Sequence, residues 1–173
     1  MILQMFVVLL QWSSKIMKNQ ILLRKTFINI AKNISELSSC LQYKVGAILV
    51  KDGRILSTGY NGTPPGFINC NAYFNNKKPS REEHAKFSEE AEIHGELNAI
   101  LFAARNGISI EGSVLYVTLH PCKHCLKMIC AAGIKEVYYA EEYDRFTNSE
   151  LVNEYCKKNN IKIQKIDMNG NLV

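Results

Sequence analysis

The chain lacks an unbroken apolar run of the ~20 residues that a membrane-spanning helix needs. Its most apolar stretch, MILQMFVVLLQW at the N-terminus, is too short. No positive charge precedes that stretch and no small-residue cleavage site follows it, so it does not have the build of a secretory signal. No acid occurs before Glu36, a trait shared with mitochondrial transit segments, but Met17-Lys18-Asn19 is a natural start for a folded domain. Residues 1–16 are therefore expected to be a dispensable apolar extension, with a single domain over 17–173. A dense basic tract is also missing. Lys77-Lys78 and Lys157-Lys158 are only pairs, which argues against a nucleic-acid partner. The mild net charge of +5 suits either a solvated surface or a phosphate-bearing ligand. No internal repeat or linker divides the chain.

What is present is ordinary globular composition, 47% apolar and 21% charged in 173 residues, enough for one core without staples. The six cysteines are even in number, yet nothing else resembles a small disulfide-built secreted scaffold. Metal ligation by some, and buried-thiol roles for Cys130 and Cys156, fit a reducing compartment, so a cytoplasmic location is expected.

Apolar residues at Phe27, Ile30, Ala31, Ile34 and Leu37 mark a helix over about 20–38. KVGAILV and RILSTGY read as two strands joined by the Asp52-Gly53 turn. The segment 61–80 is turn-rich, and a short polar helix is expected after it. HGELNAILFAARNG is the clearest helix, with Leu97, Ile100, Leu101 and Ala104 on one face and Asn106-Gly107 as its stop. A strand over 113–119, a helix opened by Pro121 and closed by Gly133, a strand over 134–140, a helix over 148–159 and an edge strand over 161–166 complete the order. This alternation predicts an α/β layered domain on a mixed sheet.

Two fragments carry chemistry. HGE (94–96) and PCKHC (121–125) each sit at the head of a helix. His94, Cys122 and Cys125 are three zinc-competent ligands, which leaves a fourth position for water, as catalytic zinc requires. Glu96 is close enough to serve that water as a proton shuttle without being a ligand. Taken singly, HxE is also a helix cap with a first-turn acid, and CxxC is also a redox or structural pair. The combination, H-x-E followed by P-C-x-x-C, is the signature of zinc deaminases.

The resemblance extends beyond that signature. VGAILVKDGRILSTGYNGTPPGFINC, HGELNAILFAAR and LYVTLHPCKHCLKMICAAGIKEVYY together resemble the deoxycytidylate (dCMP) deaminases of the zinc-dependent cytidine/deoxycytidylate deaminase family, over nearly all of 18–145. The GYNGTPPG loop is the most distinctive part. The resemblance implies a three-layer α/β/α sandwich with a mixed five-stranded sheet. It also implies hydrolysis of dCMP to dUMP and ammonia, supplying dUMP for thymidylate synthesis. Glu96 would move the protons while metal-activated water adds to C4 of the cytosine. It assigns Asn61 to the deoxyribose and Tyr143 to substrate binding. In some members a second, structural zinc is held by residues matching Cys40, Cys70, His84 and Glu92. It further implies a homo-oligomer, a hexamer among the forms, activated by dCTP and inhibited by dTTP. Gly59, Tyr60, Asn61 and Gly62 match an effector-binding region, and Arg105 matches a subunit contact. Each has a plainer reading: Asn61-Gly62 is a turn dipeptide, Tyr143 a surface aromatic, Cys40 a core thiol, His84 a solvated helix residue and Arg105 a C-terminal helix cation.

His124, between the two cysteines, is expected to point into solvent, and His120 has no assigned role. Arg24, Lys25, Lys44, Arg54 and Arg145 are the candidate phosphate partners, and the sequence does not choose among them. Three rival functions remain: a related deaminase acting also on dCTP, a tRNA adenosine deaminase, and a zinc-stabilised binding module. The missing basic tract and the GYNGTPPG loop oppose the second. The third leaves Glu96 idle and a zinc position open.

Overall fold

A computed structural model describes residues 2–143 and 149–173. The described elements are α1 (Ile2–Ser35), β1 (Gly46–Lys51), β2 (Arg54–Tyr60), α2 (Cys70–Tyr73), α3 (Arg81–Ala91), α4 (Gly95–Arg105), β3 (Val114–Leu119), α5 (Lys123–Ala131), β4 (Glu136–Glu141), α6 (Glu150–Lys158) and β5 (Lys162–Lys165). No helix among the described residues is long and apolar enough to cross a membrane.

The five strands form one mixed sheet in the order β2-β1-β3-β4-β5. β1 pairs antiparallel with β2 and β3, while β3, β4 and β5 run parallel. Asp52 and Gly53 both adopt positive φ (52° and 72°), which matches the tight hairpin expected between β1 and β2. Side chains alternate across the central strands and both faces are buried. Ile48, Val50, Tyr116 and Tyr138 meet Phe27, Ile28 and Ala31 of α1 on one side. Ala47, Leu49, Leu115, Val117 and Val137 meet Ala99 of α4, Leu126 and Ile129 of α5, and Val152 of α6 on the other. The result is the α/β/α sandwich. Burying a side chain such as Leu49 or Ile129, both wholly inaccessible, contributes about 1.5–3 kcal/mol.

Three expectations need correction. The first helix runs from Ile2 to Ser35 without a break, so it starts well before 20, and Leu37 lies beyond its end, 62% exposed. Ile28, fully buried, takes the place on the core-facing stripe that Leu37 was given. On α4 the buried residues are Gly95, Glu96, Ala99 and Ala103, while Leu101 is 46% exposed and Ala104 is exposed. The cause is close approach. A Cβ on Gly59 of β2 would lie 2.3 Å from the Gly95 oxygen and 2.4 Å from the Ala99 nitrogen. The backbone of α4 thus rests directly on β2, and only small side chains fit between them. Finally, α5 begins at Lys123 with Cys122 as its N-cap, so Pro121 stands just outside the helix.

Cys130 and Cys156 are both buried, their sulfurs 3.2 Å apart between α5 and α6, consistent with core thiols.

Candidate metal centre and active site

His94 and Cys122 are the N-caps of α4 and α5, both in extended backbone conformation. Two helix N-termini therefore aim at one point, a field that favours thiolates. Ile93 is locked to Gly62 by two backbone hydrogen bonds, Gly62 N–H to the Ile93 oxygen and Ile93 N–H to the Gly62 oxygen. That bridge fixes the chain immediately before His94. Asn98 of α4 also donates to the Tyr60 oxygen (2.8 Å), so the GYNG segment holds the head of α4 at two places.

His94 Nδ1 lies 3.5 Å from Cys122 Sγ and 3.3 Å from Cys125 Sγ. A tetrahedral zinc with bonds of about 2.0 Å to nitrogen and 2.3 Å to sulfur sets such donors roughly 3.5 Å apart. The three donors therefore fit the ion. Hydrogen bonding from Cys125 holds the Cys122 thiol down at about 3, and Cys122 in turn lifts His94 to about 9. Cys125 is raised well above the ordinary thiol range by its bond to Cys122 and by burial. The set already shares protons among one ring and two sulfurs, and a bound cation displaces such protons.

Glu96, one residue into α4 from its first position, is 4% exposed. Burial raises its carboxyl, opposed by the charge of His94, and it hydrogen-bonds Cys125. It lines a cavity of about 330 Å³ together with Tyr43, Asn61, His94, His120 and Tyr143. That volume lies in the range of small-molecule sites, ~300–1,000 Å³.

A second group, Cys40, Cys70, His84 and Glu92, places one donor atom each within 4.8 Å of the others. Cys40 Sγ is 3.1 Å from His84 Nε2, and His84 Nε2 is 3.7 Å from Glu92 Oε2. Glu92 Oε1 is buried with no hydrogen-bond partner. An orphaned carboxylate oxygen beside two thiols and an imidazole fits a closed four-donor metal site. Burial, followed by the Glu92 charge, pushes the Cys40 thiol up to about 11, and burial also raises Cys70. Phe74 and Phe87 pack around the sulfurs in a small satellite core, their rings 5.5 Å apart. This group ties the coil after α1 to α2, α3 and the link into α4. The helix α3 is itself started by a Ser80–Glu83 capping box.

The remaining expected residues fall as follows. Asn61 is 5% exposed and its amide is engaged on both sides: Oδ1 accepts from Val45 N–H (2.8 Å) and Nδ2 donates to the Tyr43 oxygen (2.9 Å). Tyr143 lines the cavity. Gly59 is explained by the packing of α4, and Gly62 pairs with Ile93 through its backbone. Arg105 is exposed in the last turn of α4 and is not part of the cavity lining. His124 is exposed, as expected, and is also among the residues that line the cavity. Of the candidate phosphate partners, Arg24 donates to the Gly170 oxygen and lies over the Tyr138 ring, and Lys44 pairs with Glu36. Neither these nor Lys25 and Arg54 line the cavity, and Arg145 lies outside the described residues. The cavity lining also includes His120, which the sequence placed near the site without a role, and Tyr43, which it did not single out. His120 hydrogen-bonds the Pro121 oxygen through Nδ1 and meets Tyr139 edge-on; its place directly before PCxxC was the available signal. Tyr43 sits in coil, where only its closeness to Cys40 and to β1 hinted at a role.

An α/β/α sandwich with a His-Cys-Cys donor set and a buried carboxylate at one cavity fits the class of metal-dependent hydrolases acting on small molecules. Residues 23–141 match the family described as the cytidine and deoxycytidylate deaminase zinc-binding region. The deoxycytidylate deaminase of Enterobacteria phage T2 is 43% identical over 151 residues, covering 69% of this chain and 80% of that protein. The deoxycytidylate deaminase of Mycobacterium phage D29 is 37% identical over 120 residues, covering 67% and 92%. A solved structure of the dCMP deaminase from cyanophage S-TIM5, in complex with dCMP and dUMP, superimposes with a TM-score of 0.65 at 34% identity, covering 82% of this chain and 94% of that one. The chain belongs to the cytidine and deoxycytidylate deaminase family.

Proposed function

We propose that this protein hydrolyses dCMP to dUMP and ammonia, supplying dUMP for thymidylate synthesis. The observation that carries the reading is Glu96, a buried carboxyl that shares one cavity with the His94–Cys122–Cys125 donor set. Those three residues would hold a zinc ion, which would supply the polarisation that eases deprotonation of a water. Glu96 accepts the proton as the water oxygen adds to C4 of the cytosine ring. It passes that proton to N3, then takes the second proton from the new C4 hydroxyl and gives it to the amino group, which leaves as ammonia as the C4 carbonyl forms. Asn61 keeps one amide N–H beyond its two backbone bonds, and this donor meets the deoxyribose. Tyr143 borders the same substrate.

Cys40, Cys70, His84 and Glu92 would hold a second zinc with a structural role. The enzyme works as a homo-oligomer in the cytoplasm, activated by dCTP and inhibited by dTTP. Gly59–Gly62 form part of the effector region, Arg105 lies at a subunit contact, and residues 1–16 are dispensable. The relatives named deoxycytidylate deaminase support the substrate. A binding module stabilised by zinc would give Glu96 no task. Incubating the protein with dCMP, dCTP, cytidine and a tRNA substrate, with and without dCTP or dTTP as effector, tests the reading by ammonia release. Release from dCMP above the other three is the expected result; release only from tRNA, or none, contradicts it.

A further inference from the structure

We infer that Tyr43 is a substrate-positioning residue that forms, with Tyr143, an aromatic corner of the cavity. The inference rests on the dCMP reading above and deepens it.

Tyr43 lies in the coil between α1 and β1, where no helix or sheet ladder fixes the chain. Its backbone is nevertheless pinned at both ends. The Tyr43 N–H donates to Cys40 Sγ (3.4 Å), and its oxygen accepts from Asn61 Nδ2 (2.9 Å). Two residues on, Val45 N–H donates to Asn61 Oδ1, and Asn61 N–H returns to the Val45 oxygen. The direction of the Tyr43 side chain is thus set by one sulfur of the Cys40 group and by the residue assigned to the sugar.

That side chain borders the cavity rather than lying wholly within the core. Its ring meets Tyr143 with centroids 5.8 Å apart and planes at 87°. Rings at this angle make a corner and do not stack on one another. A flat ligand can lie against one ring face while the other ring borders its edge. A pyrimidine nucleotide has such flat apolar faces, and aromatic residues hold them without reading their hydrogen-bond edges. Tyr43 is remote in role from the proton transfers, so its loss weakens binding and leaves the chemistry intact.

The test compares KM and kcat for dCMP in the wild type, Tyr43→Ala and Tyr43→Phe, with zinc content and melting temperature recorded for each. Calorimetric Kd values for dCMP in Glu96→Gln, with and without Tyr43→Ala, give a readout independent of turnover. Tyr43→Ala is expected to raise KM, and Kd in the inactive background, about tenfold. The same variant keeps kcat within about threefold of wild type, and Tyr43→Phe restores KM. Unchanged KM and Kd in Tyr43→Ala overturn the inference, as does a fall in kcat with loss of zinc, which makes Tyr43 only a prop for the metal groups. If the wild type releases no ammonia from dCMP, the functional reading fails. The Kd pair then still judges Tyr43, since equal values or no binding count against it.

Discussion

The two metal-competent groups lie one residue apart in the chain, at Glu92 and His94, and border the same cavity, yet they are built for different work. The Cys40 group offers four donors, drawn from the coil after α1, α2, α3 and the link beyond it, with both its thiols and its carboxylate side chain buried. Four protein donors fill a tetrahedral ion and leave no place for water. The His94 group offers three donors from the heads of two helices, with His94 and Cys122 only half-buried. His94 and Cys122 line a cavity that Glu96 also lines. On the proposed reading, one group would staple an irregular segment and the other would be the reactive site. The number of donors and the presence of a buried acid that is not a donor distinguish them.

That contrast can be broken from either side. The largest effect is expected from His94→Asn, which removes one of only three donors. Ammonia release from dCMP should fall by at least about 10³-fold and one equivalent of zinc should be lost, while the melting temperature moves little. Cys70→Ser should act the other way round. Removing a fully buried donor from the closed group is expected to destabilise the fold by about 3 kcal/mol. For a chain of this size that lowers the melting temperature by roughly 6–12 °C. Metal analysis of both variants checks that each loses a different equivalent. A milder test uses a chelator on the wild type. The half-buried His94 group should release its metal first, so that activity decays before circular dichroism reports any unfolding. Asn61→Ala should show the smallest effect, leaving the Val45 N–H and the Tyr43 oxygen without their partner at a cost of about 1–3 kcal/mol. Its KM for dCMP should rise with zinc content unchanged.

The two groups also differ in how far the sequence reveals them. His94, Cys122 and Cys125 were legible because short spacing and helix starts confine their donors: a ligand at an N-cap has little choice of direction. The donors of the Cys40 group are scattered from 40 to 92 through coil and short helices, and periodicity says nothing about whether such segments meet. Only the resemblance brought those four together, and the orphaned Glu92 oxygen is a feature of three-dimensional packing alone. The α4 helix was found, but its inner face was misjudged. Large apolar residues usually mark the buried side, whereas here contact with Gly59 selects Ala99 and Ala103. Tyr43 escaped notice for a related reason, since its place depends on hydrogen bonds to Cys40 and Asn61 rather than on any pattern along the chain.

The sharpest measurement is made on Glu96→Gln. Ammonia release from dCMP and zinc content are measured on the same preparation, beside the wild type. The amide keeps the shape of the side chain and removes its ability to take a proton. Turnover should disappear while zinc stays at the wild-type level, as the proposed role of Glu96 as proton carrier and not ligand requires. Normal turnover in this variant would contradict the account, and loss of zinc along with activity would make Glu96 a prop for the metal.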